Sequence, residues 1–158
     1  MKKGMWTVLG GIVGAIVSGS IVGKVSSDST SKWKEMSDKH LALFLLMNQW
    51  VKVKQENKVL STYFVERGYK NIAIYGMNYV GQTLNDEFKG TDVKVLYGID
   101  RNAETIYADI ELLTIEDDLP NVDVIVVTAI TYYEEIKKEL HKKKDCEIVS
   151  LEDILFEI

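Results

Sequence analysis

Hydrophobic and polar positions divide this chain into three stretches. Met5 to Gly23 is nineteen residues without a charge, bracketed by Lys2, Lys3 and Lys24. As a helix it would be roughly 28 Å long, close to the hydrocarbon thickness of a bilayer, so 1–31 is expected to be a transmembrane anchor ending in the polar linker Ser26–Ser31. From Lys32 to Gln55 apolar residues recur every three or four positions (Leu41, Phe44, Leu45, Met47, Trp50, Val51), the period of an amphipathic helix. Asn57 is the expected break. A second helix follows over about Lys58–Arg67, stopped by Gly68. Residues 32–68 are therefore expected to be connecting helices that cover the sheet, with an interfacial or dimerising role for the first of them as the minority reading.

Beyond Asn71 the pattern changes to short apolar runs alternating with helical periodicity. Strands are expected at Ile72–Tyr75, Val93–Ile99, Ile110–Leu113, Val122–Thr128 and Glu147–Val149. Helices are expected at Tyr79–Phe88, Thr131–His141 and Leu151–Leu155, the last capped by Ser150. The β-branched run at 122–128 suits a strand buried on both faces. Strand–helix alternation implies right-handed crossovers and a parallel sheet. The predicted fold class is α/β: a three-layer Rossmann-like parallel sheet over 69–158, preceded by a transmembrane helix and connecting helices.

Candidate chemistry gathers where such sheets bind ligands, outside the carboxyl ends of the strands. Gly76-Met77-Asn78-Tyr79-Val80-Gly81 is a strand–turn–helix opening with the spacing of a dinucleotide fingerprint, except that Asn78 replaces the second glycine. Gly76 permits the sharp turn, Gly81 permits close helix packing, and the helix amino terminus offers N–H groups to a phosphate. Asp100, twenty-four residues after Gly76, is placed to accept hydrogen bonds from ribose hydroxyls. Arg101 could pair with a phosphate, and Thr128 closes the same rim. The expected binding set is Gly76, Met77, Asn78, Tyr79, Gly81, Asp100, Arg101 and Thr128. Its ligand would be a nucleotide, a nucleotide-sugar or NAD(P).

Charge narrows the partners. Residues 1–68 carry a net +5 and residues 69–158 a net −10, which together give the chain its −5. An acidic globular part repels phosphate backbones, which argues against nucleic acid. The lysine-rich part adjoins the expected anchor, where anionic lipid attracts it. Lys24, Lys32, Lys34 and Lys39 outweigh Lys2 and Lys3, so the globular domain is expected on the cytoplasmic side of a single-pass cell-membrane protein. Gly11, Ala15, Gly19 and Gly23 recur every four residues and would allow anchors to self-associate.

Four stretches carry a resemblance: Ile72–Gly81, Tyr97–Asn102, Val122–Ile130 and Ile148–Leu155. They resemble the small Rossmann-like domains of bacterial surface-glycan gene clusters. Similar domains form the nucleotide-sugar-binding amino-terminal part of sialic-acid-type sugar acetyltransferases and the carboxyl-terminal domain of sugar C-methyltransferases. The resemblance implies a nucleotide-sugar ligand and glycan-assembly partners, with chemistry carried by other domains.

Catalytic constellations are sparse. There is one cysteine, Cys146, and His40 and His141 are far apart in sequence, so no metal-ligand spacing occurs. Neither a P-loop nor a G-x-S-x-G elbow is present. Tyr133 and Lys137 have the Tyr-x-x-x-Lys spacing of short-chain oxidoreductases and epimerases, but the chain ends about twenty residues later. Glu116–Asp118 reads as a solvated turn, and Lys142–Lys144 as a charged helix end. The expectation is a membrane-anchored, non-catalytic module that binds a nucleotide or nucleotide-sugar. The alternatives are an interaction module with an empty rim and a small NAD(P)-dependent enzyme.

Overall fold

A computed structural model describes residues 30–158, together with the helical backbone of residues 4–29. Chain contacts define two compact units, Met1–Leu41 and Ala42–Ile158. Helix α1 is Gly4–Gln55. The expected anchor and its small-residue stripe lie outside the described side chains, as does most of the expected linker. Thr30 and Ser31, assigned to that linker, are helical. Among the described residues no helix is long and apolar enough to cross a membrane.

The second unit is built on five parallel strands: β1 Asn71–Tyr75, β2 Lys94–Ile99, β3 Leu112–Leu113, β4 Val124–Val127 and β5 Glu147–Ser150. They lie in the order β3-β2-β1-β4-β5. The chain lays β2 and β3 on one side of β1, then returns to place β4 and β5 on the other. The order therefore reverses between β1 and β4, whose residues 72–75 pair with 124–127. Helices α2 (Leu60–Glu66), α3 (Tyr79–Glu87), α4 (Tyr133–Leu140) and α5 (Leu151–Glu157) complete the unit. A five-stranded all-parallel sheet flanked by helices is what the sequence pattern predicts, and it is consistent with a Rossmann-like fold.

Alternation along each strand divides the interior into two cores. Ile72, Ile74, Val124 and Val126 face Phe64, Leu84, Phe88, Leu151 and Ile154. Ala73, Tyr75, Ile125 and Val127 face Ile136 and Leu140 of α4. Each strand residue alternates sides because successive side chains in a strand point to opposite faces. The chain leaves α1 at Asn57, whose φ of 57° is the left-handed break expected there. Ser150 caps α5 by accepting from Glu152 N at 3.2 Å, also as expected.

One correction concerns α1. Of the six apolar positions expected to face the core, only Trp50 is buried; Leu46 and Val53 complete the packed stripe. These three lie along one side of the helix, and Gln49 Nε2 on the same side donates to Leu155 O of α5 at 3.0 Å. Leu41, Phe44, Leu45, Met47 and Val51 are exposed.

Candidate functional site

The carboxyl ends of β1, β2 and β4 form a rim at the reversal of strand order, and the expected binding residues meet there. Gly76 leaves β1 with φ +93°, a conformation that L side chains rarely adopt. The turn is clamped from both neighbouring strands. Gly76 N donates to Ile99 O at 2.8 Å, and Thr128 Oγ1 lies 2.6 Å from Gly76 O and donates to it. A Cβ at Gly76 would lie 2.7 Å from that Thr128 hydroxyl. Across the turn, a Cβ at Gly81 would lie 2.1 Å from Gly76 O. The two glycines thus bring the first turn of α3 onto the end of β1.

Asp100 directly follows β2 and binds the turn. Its Oδ2 accepts from Met77 N at 2.8 Å, and its Oδ1 accepts from Asn102 N at 2.9 Å. A carboxylate offers about four lone-pair sites. Two are used here to orient the group. The Met77 side chain is fully buried, so this residue meets the rim only through its backbone. It lies over Gly98, where a Cβ would come within 2.5 Å of Met77 Cγ. Gly98 is a structural requirement of the rim that sequence spacing did not single out. Only its cross-strand position reveals it.

Asn78, the departure from the glycine fingerprint, takes ordinary extended backbone (φ −74°, ψ −163°) as the N-cap of α3. Its Oδ1 accepts from Tyr79 N at 2.9 Å. A glycine is therefore not demanded by conformation at this position. The side chain serves the helix end, and its amide Nδ2 is the group able to donate to a ligand oxygen. Tyr79 itself stands exposed on the first turn of α3.

Arg101 follows Asp100 and is exposed, with its guanidinium 3.8 Å from Glu139 of α4. The Tyr75 hydroxyl beside it, and then Glu139, hold the Arg101 pKa above its ordinary value. That Tyr75 contact falls short of hydrogen-bond geometry, and the buried hydroxyl has no hydrogen-bond partner. Arg101 brings a permanent positive charge to a rim otherwise lined by Asp100, Glu135 and Glu139.

The clefts differ in size from what a nucleotide needs. Beside the glycine turn, Met77, Gln82, Asn85 and Tyr107 line a cleft of about 190 Å³. Enclosed small-molecule sites generally occupy 300–1,000 Å³. Clefts of about 350 to 400 Å³ lie away from the rim, one of them between α1 and α3. A nucleotide at this rim would lie across an open edge.

The Tyr133–Lys137 pair is turned inward. Tyr133 Oη donates to Ile148 O of β5 at 2.8 Å, and Lys137 Nζ donates to Tyr133 Oη at 3.1 Å. That hydrogen bond raises the Lys137 pKa. A phenol committed to a strand carbonyl is poorly placed to trade protons with a substrate. Burial pushes the Cys146 thiol upward, away from the thiolate form needed for nucleophilic attack. His40 and His141 are exposed. Among the described residues no group of three or more His, Cys, Asp or Glu is placed to hold a metal. The expected turn at Glu116–Asp118 is present: Asp117 accepts from both Thr114 N and Thr114 Oγ1.

No family model matches this chain, and no curated protein or solved structure matches it significantly.

Proposed function

We propose that this chain is a membrane-tethered, non-catalytic Rossmann-like module that holds a nucleotide or nucleotide-sugar at the carboxyl rim of its sheet, in the service of surface-polysaccharide or glycan assembly. The observation that carries the reading is the convergence of the Gly76 turn, the α3 amino terminus and the backbone-oriented Asp100 carboxylate at the reversal of strand order. Asp100 supplies acceptors for ribose hydroxyls, the helix terminus and Asn78 supply donors for phosphate, and Arg101 supplies charge. The inward Tyr133 hydroxyl supports a binding role rather than an oxidoreductase one. The tether is the uncharged Met5–Gly23 run, with the globular unit on the cytoplasmic side.

Thermal shift of the full chain with NAD(H), UDP-sugars and CDP-sugars tests the ligand. Stabilisation by a nucleotide or nucleotide-sugar, abolished in Asp100→Ala, is the expected result. No shift with any of them removes the reading. Turnover of a nicotinamide that is lost in Tyr133→Phe replaces it with an enzyme. Protection of the globular unit from external protease in intact cells tests the orientation.

A second reading has its own observation. Asn78 Oδ1 and one lone pair on each Asp100 oxygen are already spent inside the turn, and the adjoining cleft is only about 190 Å³. A rim that serves folding alone would leave an interaction module, and the same titration separates the two.

A further inference from the structure

Among the described residues, the Tyr75 hydroxyl is the one buried side-chain polar atom without a hydrogen-bond partner. Its residue ends β1 and is only 5% exposed, in the core that Ile136 and Leu140 of α4 close. Buried polar groups are normally paired, so an orphan at the ligand-binding edge of a sheet calls for a missing partner. Its position narrows what that partner is. Tyr75 directly precedes Gly76, and strand alternation sends its side chain to the face opposite Ile74 and α3. Arg101 directly follows Asp100 and lies beside the same hydroxyl. The rim thus has two sides, with Asp100 and the α3 terminus on one and Arg101 and Tyr75 on the other.

We propose that Tyr75 and Arg101 form a second oxyanion seat at the rim, which takes the distal phosphate of a nucleoside diphosphate held at Asp100. The inference rests on the nucleotide reading above and narrows its ligand to the diphosphate class, free or sugar-linked.

Hydrogen-bond valence identifies the occupant. A guanidinium only donates, so Arg101 offers the Tyr75 proton nothing to bond. The pair lacks an acceptor that also carries negative charge, and a phosphate oxygen is both. A neutral sugar hydroxyl would accept from Tyr75 but leave the guanidinium charge unanswered. The present partner of Arg101 is Glu139 at 3.8 Å, well beyond the 2.7–2.9 Å typical of a charge-assisted hydrogen bond. The Arg101 side chain is 72% exposed, so it can leave Glu139 for an arriving anion and uncover the hydroxyl. Glu135 also bears on the guanidinium, and with Glu139 it makes the seat unfavourable for a loose anion. A phosphate tethered to a ribose already held at Asp100 arrives at high effective concentration and overcomes that opposition. The charges therefore select a diphosphate nucleotide over free phosphate.

The test titrates the full chain by calorimetry with matched mono- and diphosphates of adenosine, guanosine, cytidine and uridine. For the base that binds, the diphosphate should bind about tenfold more tightly than the monophosphate, as expected for hydrogen bonds to a charged group. Tyr75→Phe and Arg101→Gln should each cut that ratio to about threefold or less. Glu139→Gln should raise it, because the variant no longer competes for Arg101. The ligand-free thermal midpoint gives an independent sign. Tyr75→Phe should hold or raise it, since the hydroxyl removed bonds nothing in the free chain. A lowered midpoint overturns the proposal, because the hydroxyl would then serve the fold. A diphosphate preference undiminished in both variants overturns it too. Equal affinities for mono- and diphosphates, with binding lost in Asp100→Ala, overturn this inference and leave the nucleotide reading standing. No binding of any nucleotide removes both.

Discussion

The β1–α3 turn and the second half of α1 are opposites. At the turn, atoms lie so close that no methyl group can be added to Gly76, Gly81 or Gly98 without moving a neighbour. Its polar groups also answer one another: Thr128 to Gly76, Asp100 to Met77, Asn78 to Tyr79. On α1, by contrast, apolar side chains such as Phe44 and Val51 stay exposed. The turn is a place where the chain satisfies itself, and whatever binds there must use the valences left over. The α1 surface is a place where apolar area is left open. A motif familiar from ligand binding is thus the more self-sufficient of the two regions, and an unremarkable amphipathic helix is the more demanding.

Substitutions that overfill or empty the packed regions should have the largest effects. Gly81→Ala sets a Cβ against a backbone carbonyl that cannot rotate away, so the helix must move. A loss of about 3 kcal/mol in urea unfolding is expected. Leu46→Ala, on the buried stripe of α1, should cost a similar amount, about 3 kcal/mol, by leaving a cavity. A Gly81→Ala variant as stable as the parent would show that the turn is looser than its geometry states. Thr128→Val tests a single clamp. It keeps the shape and removes the hydroxyl that donates to Gly76 O, and about 1 kcal/mol should be lost.

Much of this contrast was legible in the sequence, and the exceptions have physical reasons. The run Val124–Val127 announces a strand covered on both faces, and all four residues are buried. Gly76 and Gly81 announce a tight strand-to-helix turn because few other residues permit one. The buried face of α1 was not legible. From Leu41 to Met47 every residue is apolar, so periodicity there has no polar side to define its phase, and it is Leu46 rather than Phe44 that joins the core cluster of Leu60, Phe64 and Leu84. Gly98 carries no local signal, because its need arises from Met77, twenty-one residues earlier. Tyr133 and Lys137 have the right spacing for catalysis, yet spacing does not state where a hydroxyl points. Here it points at β5.

A smaller, pH-dependent effect is expected at the opposite end of β1. Asp123 Oδ2 accepts from Lys70 N and Asn71 N, both at 2.8 Å, and these backbone hydrogen bonds hold its pKa below the ordinary 3.8. A carboxylate with a depressed folded pKa stabilises fully above the unfolded value, and that stability is lost as pH falls through the folded one. Asp123→Asn should therefore lower the urea midpoint at pH 7. The gap between variant and parent should close as the pH falls below 3.8. A gap that persists unchanged in acid would mean that the ionised form is not what the two N–H groups recognise.

The smallest effect on folding should come from Phe44→Ser, and its smallness is informative. Phe44 is two residues from Leu46 on the same helix, with a larger side chain, yet it touches too little of its own chain to matter for folding. Unfolding of the diluted protein should change by no more than about 0.5 kcal/mol. The two residues thus separate the packed side of α1 from its open side: Leu46 on the first, Phe44 on the second. If Phe44→Ser instead destabilises the dilute chain as strongly as Leu46→Ala, the aromatic ring is packed against its own domain and the distinction between the two regions fails at α1.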